Sequence, residues 1–200
     1  MRLPSTRPSL LPLLRFAGGQ AATGVFDSAT GTLVPILDER SLDFVSHSPE
    51  QTLRLGARLG ERLISGDVVC LSGELGAGKT TFITGMGRGW GALDPVTSPT
   101  FVLVNEYRRA DSLRLWHLDC YRLNSGADAL ALGFDDLLED GGVMVIEWPE
   151  RILEVLPPER LHLTLRWVPG GDTKRGFRIE AHGARYEDLL HDFRRAAFGG

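Results

Sequence analysis

Apolar positions along this chain follow two patterns, a helical spacing of three to four residues and short continuous runs, and they alternate from residue 48 onward. Ser48-Pro49-Glu50-Gln51 opens the first regular element with an N-cap serine, a proline at the first helical position and a glutamine three residues after the cap. Leu55, Leu59 and Leu63 then share one face, which predicts a helix over 48–64 that Ser65-Gly66 ends. Asp67 to Ser72 is short, apolar and rich in β-branched residues, the signature of a buried parallel strand, and Lys79 to Arg88 continues as a helix.

Phe101 to Tyr107 and Leu113 to Asp119 read as strands around a polar turn at 109–111, and so short a connection makes them antiparallel. Helical stretches follow over 127–132 and 134–138. Val143 to Ile146 is another buried strand, with a helix expected after Pro149. Residues 161–168 and 177–181 form a closing pair of strands, and Tyr186 to Phe198 fits a terminal amphipathic helix. The succession predicts an α/β fold.

Between the strand ending at Ser72 and the helix beginning at Lys79 stands Gly73-Glu74-Leu75-Gly76-Ala77-Gly78-Lys79-Thr80, the phosphate-binding pattern G-x-x-x-x-G-K-[S/T] in its required context. A polyphosphate concentrates negative charge, and the first turn of a helix offers unpaired N–H groups and the positive end of its dipole. Glycine lets the backbone come close. Lys79 is placed to reach the β and γ phosphates, and the Thr80 hydroxyl to bind Mg²⁺. The only lysines of the chain are Lys79 and Lys174, so a composition that favours arginine has kept lysine where a compact charge suits phosphate. The expected architecture is a P-loop NTPase-like three-layer sandwich around a mixed, mostly parallel central sheet that includes an antiparallel strand pair.

Hydrolysis needs more than a cradle: a carboxylate to orient Mg²⁺ and its waters, and a group to position the attacking oxygen. Glu147 ends the apolar run 143–146, where the carboxyl end of a parallel strand faces the ligand crevice. Asp119 closes another strand, where it either serves Mg²⁺ or the attacking water or simply caps a helix. Thr97-Ser98-Pro99-Thr100-Phe101 lies where many P-loop proteins sense the nucleotide, and a plain turn fits the spacing equally well. His117, Arg122 and Trp148 read at least as readily as structural residues.

Composition narrows the remaining classes. With 42% hydrophobic and 24% charged residues the chain is ordinary globular, and a net charge of −4 does not fit a protein that coats nucleic acid by itself. Cys70 and Cys120 sit inside apolar runs without metal-ligand spacing, which suggests buried thiols in a reducing cytoplasm. No apolar run approaches the length of a membrane span. Residues 1–42 are expected to form a flexible extension, or to add a small strand over 31–37, with 43–200 forming a single P-loop domain. Pro12 and Arg15 interrupt the one apolar patch that a secretory signal would need. A small GTPase would carry N-K-x-D and D-x-x-G, yet neither Asn105 nor Asn124 precedes a lysine, so ATP is the expected nucleotide. A small-metabolite kinase and a nucleotide-gated binding module remain as alternatives.

Four blocks, taken in order, resemble the TsaE family of bacterial tRNA threonylcarbamoyladenosine synthesis: Gly73 to Thr81, Ser98 to Tyr107, His117 to Leu123, and Ile146 to Glu150. The resemblance extends from about Asp43 to Val168. It implies a Mg²⁺-dependent ATPase whose nucleotide contacts come from Glu74, Leu75, Gly76, Ala77, Gly78, Lys79, Thr80 and Thr81, with Ser98 and Thr100 in a nucleotide-responsive loop. It further implies that Thr80 and Glu147 share the metal and that Asp119 assists hydrolysis. Family members hydrolyse ATP in complex with TsaD and TsaB, a transferase and its pseudo-homologue, and meet tRNA only through that complex.

Overall fold

The structure, a computed structural model, describes residues 24–27, 32–35, 39–99, 103–169 and 173–199. Thr100 and the beginning of the strand expected at 101–107 fall outside the described residues. The chain divides into two units, residues 1–38 and 39–200. In the first, β1 (Gly24–Asp27) pairs antiparallel with β2 (Thr32–Pro35).

The second unit is built on a seven-stranded sheet. Its elements run β3 (Ser41–Ser46), α1 (Pro49–Gly60), β4 (Val68–Gly73), α2 (Lys79–Trp90), β5 (Val104–Arg108), β6 (Arg114–Asp119), α3 (Gly126–Ala131), α4 (Phe134–Glu139), β7 (Val143–Glu147), β8 (Arg160–Trp167), β9 (Arg175–His182) and α5 (Ala184–Phe198). Across the sheet the order is β3-β9-β8-β4-β7-β6-β5. The four central strands, β8, β4, β7 and β6, are mutually parallel, and both flanks are antiparallel, β5 on β6 and the β9–β3 pair on β8. The antiparallel pair expected from the sequence, β5–β6, is present, and the expected closing pair of strands forms as β8–β9, also antiparallel.

The two faces of the sheet carry separate cores. Leu71, Val145 and Phe177 belong to the cluster of Leu59, Phe82 and Phe193 contributed by α1, α2 and α5. Cys70, Met144 and Ile146 belong to the opposite cluster with Phe134 of α4 and Ile152. Alternate residues of β4 and β7 therefore enter opposite cores, which explains why these two runs are continuously apolar, whereas β8 gives a core only its Leu161, Leu163 and Leu165 face and alternates with polar residues. The resulting architecture is a three-layer α/β sandwich.

In the second unit, two elements differ from the sequence-based expectation. No strand is expected at 41–46, yet β3 forms by pairing with β9, Ser41 opposite Glu180 and Phe44 opposite Phe177. Its apolar alternation is broken by Val45, which is exposed; the Phe44 ring stacks on Phe177 at 4.8 Å, so tertiary pairing makes the strand. After Pro149 two single 3-10 turns, 149–151 and 153–155, replace the expected helix. Trp148 holds a left-handed backbone (φ 58°) ahead of them, and Leu156 returns to an extended conformation before Pro157.

Helix α1 begins as its sequence demands: Ser48 Oγ accepts the Gln51 N–H at 3.2 Å, and Gln51 Oε1 accepts the His47 N–H at 2.8 Å. It lies almost backbone-to-backbone on α2. A Cβ at Gly56 or Gly60 would stand 2.1 or 2.0 Å from carbonyl oxygens of Phe82 or Met86, and one at Gly85 or Gly89 would stand 2.1 or 1.9 Å from those of Leu53 or Ala57. Four glycines thus set the distance between the two helices.

Gly85→Ala should lower the unfolding free energy by about 1–3 kcal/mol or more, since the clash is with backbone that cannot rotate away; a Tm shift of a degree or less would refute the close contact. Burial also pushes the Cys70 and Cys120 thiols up to about 12, so a thiol reagent at pH 8 should leave both unmodified until the protein unfolds.

Candidate functional site

The sheet order brings the chemistry to one edge. Glu147 ends β7 and pairs in register with Leu71 of β4 on one side and with Asp119, the last residue of β6, on the other. Register partners on parallel strands project to the same face, here the face that α2 covers. Loop 73–78 leaves β4 at this edge and enters α2.

Gly73 is required by its surroundings: its φ is 137°, and a Cβ there would stand 2.3 Å from the Leu165 carbonyl oxygen of β8. Gly76 and Gly78 also have positive φ, and among the described residues no side chain caps the N-terminus of α2. The first N–H groups of the helix are therefore available to an anion. Glu74, Leu75 and Gly76 form the exposed crest of the loop, Ala77 and Lys79 are buried, and Gly78, Thr80 and Thr81 are half-buried.

The Lys79 ammonium donates to the carbonyls of Gly73 at 2.6 Å and Glu74 at 3.1 Å, and lies 3.9 Å from the Trp148 ring centroid. Burial pushes its pKa below the ordinary lysine value, while the carboxylates of Glu147, Glu150 and Asp119 pull it back up. A cation is thus held at the root of the loop among three acids. The left-handed backbone of Trp148, unusual for a bulky residue, turns its indole under that cation immediately after Glu147.

Glu147 is buried and meets two neighbours through the same oxygen. Thr80 Oγ1 donates to its Oε1 at 3.4 Å, and His117 Nε2 lies 3.1 Å from that oxygen. His117 is wholly buried; it stands two residues before Asp119 on the same face of β6. Asp119 is buried as well, and its Oδ1 accepts the Tyr121 N–H at 3.0 Å. The structure therefore brings Lys79 and Thr80 together with Glu147 and Asp119, which are distant in sequence.

The segment before Thr100 is tied to both neighbours of the site. Thr84 of α2 donates to the Val96 carbonyl at 3.1 Å; the Tyr107 hydroxyl of β5 donates to the Thr97 carbonyl at 2.9 Å and accepts the Thr97 N–H at 3.0 Å. Ser98 is half-buried within it.

Four residues at the site are given no firm role there by the sequence: Trp148 beneath Lys79, His117, Trp167 and Arg175. His117 buttresses Glu147, and the signal for it was a lone histidine two positions before a strand-ending acid. Trp167 and Arg175 stand beside the loop, where a Cβ on Gly76 would lie 3.4 Å from Trp167 and one on Gly78 3.8 Å from Arg175. Only the pairing of β8 with β4 and β9 brings them there, so local sequence carries no trace of it.

A glycine loop between a buried central strand and an uncapped helix, with a buried carboxylate ending the neighbouring parallel strand, defines a P-loop nucleotide-binding domain. Residues 46–175 match the family described as threonylcarbamoyl adenosine biosynthesis protein TsaE. Curated relatives named tRNA threonylcarbamoyladenosine biosynthesis protein TsaE include that of Bacillus subtilis, 36% identical over 78% of this chain and 96% of its own, and that of a Nostoc species, 45% identical over 70% and 86%. The crystal structure of B. subtilis YdiB superposes with a TM-score of 0.65 at 35% identity, covering 78% of this chain and 96% of that one. The chain belongs to the TsaE family of threonylcarbamoyladenosine biosynthesis proteins.

Removing His117 leaves a buried carboxylate without its nearest ring partner. His117→Ala should therefore cost about 1–3 kcal/mol in urea unfolding, and an unchanged midpoint would show that the contact contributes nothing.

Proposed function

We propose that this protein is a cytoplasmic, Mg²⁺-dependent ATPase that acts with TsaD and TsaB in the threonylcarbamoylation of the adenosine beside the tRNA anticodon. Family membership and the names of the relatives support the pathway. The observation that carries the ATPase reading is the convergence of Thr80, Glu147 and Asp119 at the mouth of a loop rooted on a buried Lys79.

The donor set suits the group it would hold. Mg²⁺ takes hard oxygen ligands, commonly one or two carboxylates with phosphate oxygens and water, and the Thr80 hydroxyl and Glu147 carboxylate are such oxygens within contact of one another. When bound, the ion neutralises charge that develops between the β and γ phosphates. The chain's own residues do the rest. The N–H groups of Glu74 to Thr81 cradle the polyphosphate, and Lys79 adds a fixed positive charge. His117 holds Glu147, and Asp119, steadied by the Tyr121 N–H, orients the attacking water. Ser98 and Thr100 respond to the bound nucleotide. Among the described residues no helix is long and apolar enough to cross a membrane. With a net charge of −4, contact with tRNA falls to the partner proteins.

Turnover by the isolated protein should be slow and should rise when TsaD and TsaB are added. Turnover that ignores both partners yet accelerates with a small metabolite would make the protein a kinase instead. Lys79→Ala should abolish ATP binding, read by calorimetry, whereas Glu147→Gln should keep binding and lose Mg²⁺-dependent turnover by about 100-fold or more; ATP affinity unaffected by Lys79→Ala would remove the site assignment.

A further inference from the structure

The sheet order distinguishes the two ends of the loop. Glu147 and Asp119 lie on β7 and β6, to one side of β4, so the terminal phosphate belongs on that side. A nucleotide lying across the loop must then carry its base toward the other neighbour of β4, which is β8.

At that place β8 presents an aromatic platform. Gly73 pairs with Leu165, and Trp167, two residues further along the same face of β8, brings its indole against Gly76. Trp167 is 42% exposed although the rest of the hairpin face is well packed. Its cross-strand partner is Arg175, whose guanidinium carbon lies 3.5 Å from the indole centroid and whose Nη2 donates to the Gly76 carbonyl at 3.4 Å. Two stacked planar groups, one anchored to the phosphate loop itself, thus stand where the base must emerge.

We propose that Trp167 and Arg175 form the base-binding subsite of this protein, with the purine stacking on the indole–guanidinium pair. The inference rests on the nucleotide reading above and extends it to a part of the site with no phosphate or metal role. Planar stacking holds any base. It therefore adds affinity without the hydrogen-bonding motif that reads guanine.

The test compares ligands with and without a base. Calorimetry with Mg-ADP and with Mg-pyrophosphate should show Trp167→Ala weakening ADP by about 5- to 100-fold while pyrophosphate binds as in the wild type. Trp167→Phe, which keeps a ring on the same hairpin, should restore most of the loss. ADP, but not pyrophosphate, should quench tryptophan emission in the wild type, and Trp167→Phe should remove that quench although Trp148 remains. Unchanged ADP affinity in Trp167→Ala would overturn the proposal, as would an equal loss for both ligands, which would make the pair a support for the loop. A wild-type protein that binds neither ligand would overturn the nucleotide reading and this inference together, whereas intact ADP binding with no base-dependent loss overturns the inference alone.

Discussion

The parallel register of three strands is the constraint on which the site depends. Leu71, Glu147 and Asp119 are paired across β4, β7 and β6, so the end of the strand that carries the glycine loop lies level with two buried acids. Side chains alternate faces along a strand, and a slip of one residue in β7 would send Glu147 into the Phe134 core and an isoleucine toward Thr80. The apolar runs resist that slip because both faces are buried, each by its own cluster. Chemistry and stability thus draw on the same pairing.

A second constraint fixes the helix that begins at the loop. The N-terminus of α2 is useful only if its first N–H groups point at the crevice, and the helix is held in that attitude by close contact with α1. Carbonyl oxygens of one helix occupy the space that a Cβ would fill on the other. A rigid pair of helices is what a loop with few side-chain contacts of its own needs behind it. At the root of the loop β8 closes on Gly73 in the same way, with the Leu165 carbonyl oxygen in the space that a Cβ would fill.

Electrostatics follow from this packing. Lys79 would be costly to bury alone; three carboxylates, two carbonyls and an indole face surround it. The left-handed backbone at Trp148 is local strain accepted at the one place where a ring beneath the ammonium is needed. His117 shows the same economy: a buried ring set two residues before Asp119, where the pleat returns it to the face of Glu147.

Much of this was legible in the amino-acid sequence, because local rules govern it. The cap at Ser48, the apolar runs at 67–72 and 143–146, the antiparallel β5–β6 pair, the closing pair of strands and the loop 73–80 each announce themselves through spacing and residue type. The chain by itself determined the order of most elements from α1 to α5, the class of fold and the family. What only the tertiary structure decided depends on neighbours remote in sequence: that β3 is a strand, because β9 lies beside it; that the stretch after Pro149 turns twice rather than winding into a helix; that four glycines face each other across α1 and α2; that His117 reaches Glu147; and that Trp167 and Arg175 meet the loop. Periodicity reports which face of an element is buried and is silent about what buries it, and these contacts are made between elements.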